Sequence, residues 1–551
     1  MLGFASILTK LFGPAPLGSA RHLWPRWLWL RSLGLIFFSA FYSLLFQIRG
    51  LIGPEGILPT GLYLQQVAEQ TGAKCYWAVP SLLWFSAGDR ALVTLCWIGL
   101  VASVLLVLNL WPRGMIAVCT VMFLSFVSAA QDFASYQSDG MLLAAGFLSL
   151  FFAPPGLRPG LGEKAPPSRA SRFLLQWLWF QIYFESGVVK WASQDPEWRN
   201  LTALDHYYEN GPLPDWIGWY AQQLPHAFQA AVTLATLMIE LGVVWMLFLP
   251  RRYRRICFLI VTPFQIGIIL TANLAFLNYF VLALGVLLLD DEFLAPVVEF
   301  LRSRAKKVVG WRISVLGAAK SNARTPSAPA PLPQGGEGGG ELRTSITSLT
   351  RPLSLALHGF FLSWIFYNTT ALLLFMFIPS LELPTAPIEA LEPFRISDRY
   401  GLFAVMTTAR YEIEFQGSRD GTNWVTYPFR YKPQDPREAP KLYAPYQPRF
   451  DWNLWFASLG GWRDYPFVVG TEARLLQSSR NVLALFAGNP FEANPPTQVR
   501  AVMWQYWFTD LATKRREGLW WRRKLLGLYA PILVRQPNGR IEAVEPPQTN
   551  P

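Results

Sequence analysis

About nine apolar runs, several of them shorter than the roughly 20 residues of an upright membrane span, divide the chain before Ser380. The runs lie near residues 27–46, 91–110, 115–130, 141–153, 173–191, 228–249, 256–272, 276–289 and 353–378. The whole chain is 52% hydrophobic and only 15% charged, which is unusual for a soluble protein. The sequence therefore predicts a multi-span α-helical membrane bundle followed by a soluble C-terminal domain.

Lys and Arg gather in every second connection between these runs, most densely at residues 251–255. Cytoplasmic loops are enriched in these residues, so the alternation predicts a cytoplasmic N-terminus and an extracytoplasmic C-terminal domain. We expect that domain in the periplasm if the membrane is a bacterial inner membrane, and in the lumen if it is the endoplasmic reticulum. The net charge of +12 is not gathered on a soluble face, which argues against a nucleic-acid partner.

The same patterns divide the chain into four parts. They are a bundle of about eight spans (1–290) with structured outer loops near 47–90 and 192–227, a basic cytoplasmic segment (291–351), a last span (352–379) and an extracytoplasmic β-rich domain (380–551). Residues 321–350 within the basic segment are rich in Pro, Gly, Ser and Ala, which predicts a disordered linker.

Charged residues inside the predicted spans need partners, because an unpaired charge in a bilayer costs at least a few kcal/mol. Glu185 and Lys190 lie in the fifth run and Glu240 in the sixth. Five residues of a helix turn through about 140°, so Glu185 and Lys190 do not face each other, and we expect their partners on other helices. Lys190 lies near the outer end, where its side chain could also snorkel to the interface. Asp139, just before the fourth run, is better placed to be wet.

Metal, cofactor and redox sites are not predicted. The four histidines are scattered without the spacing of metal ligands. The four cysteines, Cys75, Cys96, Cys119 and Cys257, form no Cys-x-x-Cys pair, so no thioredoxin-like exchange activity is expected.

The C-terminal domain has the alternation typical of β structure. Tyr411, Ile413 and Phe415 alternate with Glu412, Glu414 and Gln416, which predicts a strand with one wet face. A turn at 418–423 and a second run with Val425, Tyr427 and Phe429 on one face predict a hairpin. We further expect a helix at 471–486, a strand at 500–508 and a hairpin around Asn538 and Gly539. Together these elements predict a small α+β or β-sandwich-like fold.

Two segments of this domain combine basic and aromatic residues. The second segment is close to the membrane in our topology, and each cation near an anionic surface contributes on the order of 1 kcal/mol. Its candidate contacts to lipid headgroups are Arg515, Arg516, Trp520, Trp521, Arg522 and Arg523. The alternative is that these side chains attach the domain to its own bundle.

Several long blocks carry a family resemblance. In the soluble domain they are YEIEFQGSRDGTNWVTYPFRYKPQDP, APYQPRFDWNLWFASLG, VLALFAGNPF and GLWWRRKLLGLY; in the membrane part the block is FESGVVKWASQDPEWRNLTALDHYYENGPLPDW. These blocks, in this order, resemble the lipase maturation factors over most of the chain. Tyr446 stands where a His is common in that family, and Lys524 where an acidic residue is common. The glycine-interrupted linker is typical of a bacterial member.

The resemblance implies a membrane-embedded folding factor that, in eukaryotes, helps dimeric lipases to reach an active state. It implies a secreted client protein such as a lipase, and neither catalytic residues nor a cofactor. An exposed aromatic segment would cover apolar client surface, with charged side chains as its polar rim. The candidate client contacts are Arg430, Arg449, Asp451, Trp452, Trp455 and Phe456.

Two other functions stay open. The block that begins FESGVVK is also similar to the membrane bundle of vitamin K-dependent carboxylases and their bacterial relatives, which implies Lys190 as a catalytic base, with Glu185 as a second candidate. Burial could leave a lysine able to act in this way. A transporter is the third possibility, and it would use Glu185, Lys190 and Glu240.

Overall fold

The computed structural model describes residues 10–13, 22–300, 303–304 and 340–545. Residues 321–339 of the predicted linker lie outside the described residues. A helix begins at Gly340, which is earlier than residue 352, the predicted start of the last span. Side chains of that helix are described at residue 353 and from residue 355 onward.

All nine predicted apolar runs lie in helices. These are α1 (Leu23–Ile52), α2 (Asp89–Val107), α3 (Pro112–Ala129), α4 (Gln137–Phe152), α5 (Arg169–Ala192), α6 (His226–Leu241), α7 (Arg251–Thr271), α8 (Leu277–Gly285) and α9 (Gly340–Phe377). Six of them are long and apolar enough to cross a membrane. They are α1, α2, α3, α7, α9 and α6, the last together with the 3-10 helix Val243–Phe248 that continues it. The protein is thus an integral membrane protein, and α4 and α8 are shorter apolar helices within the same bundle.

Several helix ends are set by local sequence signals. Ser168 caps α5, because its hydroxyl accepts a hydrogen bond from the backbone N–H of Ser171 at 3.1 Å. Pro112 occupies the first turn of α3, where its missing N–H costs no helical hydrogen bond. Short helices fill the long connections: Thr60–Thr71, Cys75–Ala78, Pro196–Arg199, Ala203–Asn210 and Trp216–Gln222.

The basic connections close one end of the bundle. Arg26 is buried there and donates to the carbonyl oxygens of Leu161 and Ala165, at 2.7 Å each. Arg255 donates to Asp290 at 2.7 Å in the same way. These bonds tie α1 and α7 to the chain segments that follow α4 and α8.

The C-terminal domain covers the opposite end and contacts all four connections there. Arg474 donates to the Gly56 carbonyl oxygen at 2.8 Å, and Arg449 to that of Phe133 at 2.7 Å. Two bonds run through amide side chains: Asn210 Nδ2 donates to Thr407 O at 2.8 Å, and Asn273 Nδ2 to Lys441 O at 2.7 Å. Buried residues of the bundle and of the domain belong to one continuous hydrophobic core.

An antiparallel sheet forms the centre of the C-terminal domain. Its strands are β1 (Arg410–Ser418), β2 (Trp424–Thr426), β3 (Gln498–Phe508), β4 (Trp521–Leu528), β5 (Ile532–Arg535) and β6 (Ile541–Glu545). The order is β2-β1-β3-β5-β6, and β4 pairs with β3 beside β5. Strand β1 lies along β3 with Ile413 opposite Met503. Both predicted hairpins, β1–β2 and β5–β6, and the predicted strand β3 are confirmed.

Helices pack on one face of this sheet. They are α10 (Arg449–Ala457), α11 (Phe467–Leu476) and the short helix Arg480–Leu483, while Leu511–Glu517 joins β3 to β4 and Ala386–Glu389 precedes the domain. The single predicted helix at 471–486 is wrong: Ser478 takes a positive φ of 54°, and Ser479 starts a new helix by capping Val482. Ile413 and Phe415 of β1 are fully buried on this face, where Phe450 stacks on Phe415 and Phe486 meets it edge to face.

The other face of β1 is also buried, so the predicted wet face is wrong. Glu412 is 2% exposed and Glu414 is 4% exposed. Lys432 Nζ lies 2.7 Å from a Glu412 oxygen, and Arg523 Nη1 lies 3.2 Å from Glu414. Cations from later segments therefore satisfy the carboxylates that the alternation assigned to solvent.

Candidate functional site

The first part of the candidate site is a buried ion pair between the two domains. Arg449, at the start of α10, donates to both oxygens of Asp139 at 2.7 Å and 2.8 Å, and its guanidinium lies 5.4 Å from the ring centre of Tyr136. Asp139 is fully buried, so the expectation that it is wet is wrong. The domain covers the start of α4, and its arginine takes the place of water.

A second contact joins α5 to the segment that leads into the sheet. Glu185 is fully buried and accepts hydrogen bonds from the backbone N–H of Tyr400 at 2.6 Å and from Gln181 Nε2 at 2.9 Å. The partner of Glu185 outside its own helix is therefore the backbone N–H of Tyr400, in the segment that leads into the sheet.

Lys190 forms an ion pair inside the bundle, and its partner lies on another helix, as predicted. Its ammonium group donates to both carboxylate oxygens of Glu240 on α6, at 2.9 Å each, and lies 5.1 Å from the ring centre of Trp198. Lys190 is 2% exposed, so it does not snorkel.

A third cluster of buried charges surrounds Arg410 at the start of β1. Arg410 pairs with Glu412 and donates to the backbone carbonyl oxygen of Glu209 at 2.9 Å and to that of Pro212 at 3.3 Å. It thereby binds the sheet to the connection between α5 and α6. No local pattern identified Arg410, because its partners lie about 200 positions earlier in the chain.

Most of the predicted client contacts lie in the domain interface. Arg449, Asp451 and Trp452 are buried, so the expectation that they meet a client directly is wrong for the folded protein. Trp455 and Phe456 are half-buried, and the ring centre of Phe456 lies 5.9 Å from that of Tyr136. These five residues belong to one helix, α10, whose N-terminal half is directed at the bundle.

Arg430 alone among these candidates is exposed. It lines a polar groove of about 620 Å³ together with Lys432, Glu414 and Arg523. The Pro-rich segment 433–440 forms another wall of this groove.

Burial of the Asp451 carboxyl group raises its pKa to about 7, although the positive charge of the nearby Lys432 lowers this pKa. The Asp451 carboxylate accepts a hydrogen bond of 3.4 Å from the Lys432 backbone N–H.

The predicted headgroup contacts separate into two groups. Arg515, Arg516 and Arg522 are exposed. Trp521 is 1% exposed and stacks on Phe508, while Arg523 pairs with Glu414 across the sheet, so neither is free to meet a membrane. The segment that we assigned to the lipid surface comprises the end of the helix Leu511–Glu517 and the start of the strand β4.

Trp520 connects this segment to the bundle. Its backbone carbonyl oxygen accepts a hydrogen bond from Trp219 Nε1 at 3.1 Å, and its ring centre lies 3.7 Å from Lys514 Nζ. Part of the aromatic connection 192–227 is thereby packed under the domain, with Trp219 fully buried. Within the described residues, no group of three or more His, Cys, Asp and Glu side chains is arranged to hold a metal ion.

A helical membrane bundle carries a β-rich domain on one end, and a buried ion pair and several buried hydrogen bonds join the two. This architecture defines a two-domain integral membrane protein. Residues 24–296 match the model of the lipase maturation factor transmembrane domain, and residues 396–531 match that of the lipase maturation factor C-terminal domain. This chain belongs to the lipase maturation factor family.

Relatives match along nearly the whole chain. Lipase maturation factor 2 of Gallus gallus is 32% identical over 92% of this chain and 81% of the relative. Lipase maturation factor 1 of Bos taurus is 30% identical over 95% of this chain and 91% of the relative, and lipase maturation factor 2 of Homo sapiens is 31% identical over 92% and 82%. No solved structure matches the chain.

Proposed function

We propose that this protein is a membrane-embedded maturation factor that helps secreted lipases to reach their active fold. The observation that carries the proposal is the match of both domains, in order, to proteins named lipase maturation factors. The two domains share one core and the buried Arg449–Asp139 ion pair, which supports a single working unit.

Within this proposal the C-terminal domain lies on the extracytoplasmic side, where secreted clients fold. The four connections in contact with the domain contain only Lys74 and Arg199 between the helices that flank them, whereas the opposite end carries Arg158, Lys164 and the cluster at 251–255. This asymmetry supports the orientation. The membrane is the endoplasmic reticulum in a eukaryotic cell, and the inner membrane, with the domain in the periplasm, in a bacterial cell.

The accessible groove beside Arg430 is the candidate contact for the client. Its mixed walls, with Arg430 and Arg523 beside proline-rich backbone, offer donors for client carbonyl and carboxylate oxygens. Trp455 and Phe456, which are half-buried on α10, stay candidate contacts for apolar client surface. The exposed Arg515, Arg516 and Arg522 are candidates for contact with anionic lipid.

Co-expression with a secreted dimeric lipase tests the function. We expect the full chain to raise the specific activity of the secreted lipase in cells that lack their own factor, with no effect on a secreted non-lipase enzyme. Arg430→Ala is expected to reduce this gain, while Arg463→Ala, also exposed but outside the groove, keeps it. An inserted and folded protein that leaves lipase activity unchanged would contradict the proposal.

Deletion of residues 380–551 is a poor test of the role of the C-terminal domain in lipase maturation, although the domain forms one continuous stretch at the end of the chain. Such a deletion removes Arg449 and the Tyr400 peptide N–H, which are the partners of Asp139 and Glu185. The bundle would then carry two buried carboxylates without those partners, and its misfolding would be indistinguishable from the loss of client binding. Point substitutions in the groove avoid this problem.

The carboxylase-like alternative stays a prediction. A base needs a free lone pair, and the Lys190 ammonium group instead donates to both oxygens of Glu240. This geometry favours a structural ion pair.

A further inference from the structure

A cavity of about 400 Å³ lies inside the bundle, beside the Lys190–Glu240 pair. Residues of α5, α6, α7 and α8 form its walls, and Leu204, Tyr207 and Tyr208 of the short helix Ala203–Asn210 close one end. Most of the lining is apolar. A volume of this size is in the range of small-molecule and lipid sites.

The cavity faces the acyl chains of the membrane. It lies between α6 and α7, which pack against α5 and α8 respectively. Its lining includes Phe228 on α6, which is 47% exposed, and the exposed Pro263 and Gly267 on α7. Because α6 and α7 belong to membrane spans, exposed apolar side chains on them meet lipid. A ligand can therefore enter sideways from the bilayer without crossing water.

The charged groups of the wall and its serine and threonine hydroxyl groups already have partners. Lys190 and Glu240 neutralise each other. Ser186 donates to the Ile182 carbonyl oxygen at 2.6 Å, and Tyr183 OH accepts from Gln265 Nε2 at 2.8 Å. None of these groups gives the cavity a net charge.

Two amide atoms in the same wall have no partner among the described residues. They are Gln265 Oε1 on α7, an acceptor, and Asn278 Nδ2 on α8, a donor. The two side chains are only 5% and 6% exposed. An unsatisfied polar atom at such depth costs about 1–3 kcal/mol, so a ligand that satisfies both atoms gains affinity and specificity.

These features define the chemistry of the ligand. It carries a hydroxyl group, to donate to Gln265 Oε1, and a carbonyl oxygen, to accept from Asn278 Nδ2. Its remainder is an alkyl chain, which fits the apolar wall and the opening toward lipid. It bears no net charge, because the only charges of the wall are paired with each other. We infer that this cavity binds a neutral single-chain acyl lipid of the monoacylglycerol class.

Photolabelling of the full-length protein tests this inference. The protein is reconstituted in phosphatidylcholine nanodiscs with a monoacylglycerol that carries a diazirine in its acyl chain, irradiated, and mapped by peptide mass spectrometry. We expect adducts on the segments 224–240 and 263–281, and competition by unlabelled monoacylglycerol. Adducts that map only to other helices, or that resist competition, would overturn the inference.

Gly267 offers a substitution that fills the cavity. It lies in the wall, and a Cβ atom added there meets no heavy atom within 4 Å. We expect Gly267→Phe to lower labelling about tenfold, equivalent to about 1.4 kcal/mol of binding free energy. Leu259→Phe is the matched control on the same helix, because Leu259 is 57% exposed and lies outside the cavity. Equal labelling of both variants, at equal thermal stability, would refute the site.

The polar anchor is tested separately with Asn278→Leu. Loss of one hydrogen bond predicts labelling lowered about fivefold. Probes with the same chain but an anionic carboxylate head or a zwitterionic phosphocholine head are expected to label less than monoacylglycerol, since the wall has no unpaired charge to compensate theirs. Stronger labelling by either charged probe would contradict the neutral ligand. The assay measures lipid binding alone, so its failure would leave the proposed role in lipase maturation untouched.

Discussion

Arg449 and Asp139 stand 310 positions apart in the chain and form a two-bond ion pair, at 2.7 Å and 2.8 Å, in which both side chains are at most 2% exposed. The pair joins the first helix of the soluble domain that packs on the sheet to the start of α4. Removal of one partner from such a pair leaves an uncompensated buried charge.

We therefore expect Arg449→Met to lower the free energy of unfolding by about 3–5 kcal/mol. The double variant Arg449→Met with Asp139→Leu should recover part of this loss, because it removes both charges. Thermal unfolding in detergent measures the difference. The exposed Arg463→Met serves as control and should change little. An Arg449→Met protein as stable as the wild type would show that the pair contributes nothing.

Asp451 makes the stability of the soluble domain depend on pH. Burial raises the pKa of this carboxyl to about 7, well above its ordinary value of 3.8. The folded state therefore holds a proton that the unfolded state loses, and stability falls as pH rises from about 4 to about 7. We expect Asp451→Asn to flatten this part of the curve, while Asp435→Asn, at an exposed site, leaves it unchanged. Unfolding midpoints measured from pH 4 to 8 would show the weaker pH dependence of the variant. Parallel curves for the wild type and Asp451→Asn would contradict the role of Asp451.

The nine helices could be predicted because length and apolar content are local properties of the sequence. Partners of buried charges could not be predicted in this way. The group that satisfies Glu185 is a peptide N–H at Tyr400, and any residue could supply it. The predicted wet face of β1 failed for the same reason, since Glu412 depends on Lys432 from a later segment.

The strand β4 was missed because its basic residues suggested a lipid surface. A signal was present: Trp521 and Arg523 alternate with Arg522 and Lys524, and the first pair is directed inward while the second is exposed. Period-two alternation identifies a strand even when the inward residues include an arginine. Arg523 is tolerated inside because Glu414 is opposite.

Glu472, on α11, is a buried carboxyl group that destabilises the folded protein. It is fully buried, and neither carboxyl oxygen makes a hydrogen bond of good geometry with the described residues. Burial raises its pKa well above the ordinary value, and the nearby Ala501 backbone N–H acts weakly in the opposite direction. We expect Glu472→Leu to stabilise the protein by about 1–3 kcal/mol at neutral pH. The gain should shrink as pH falls toward 4.5, because the wild-type folded state binds the proton more tightly than the unfolded state. Glu492→Leu, at an exposed position, is the control, and a destabilised Glu472→Leu would contradict this account.

Lys514 holds the helix Leu511–Glu517 against the bundle. Its ammonium group lies 3.7 Å and 4.8 Å from the ring centres of Trp520 and Tyr220, and donates to Tyr220 OH at 2.8 Å. We expect Lys514→Gln to cost about 1–2 kcal/mol locally. Faster amide hydrogen exchange in residues 511–521 of the Lys514→Gln variant would show this local loss of stability. Arg516→Gln, whose side chain is 67% exposed, should leave that exchange unchanged, whereas equal exchange in all three proteins would exclude the contact as a source of stability.

A double substitution at Lys190 and Glu240 separates a structural ion pair from a catalytic base. If the pair is structural, Lys190→Met strands the Glu240 carboxylate and lowers the free energy of unfolding by about 3–5 kcal/mol. Addition of Glu240→Leu removes the stranded charge, so both stability and lipase maturation should return. A base cannot be replaced by methionine in either background. A stable double variant that has lost all activity would therefore favour chemistry at Lys190 over the structural role.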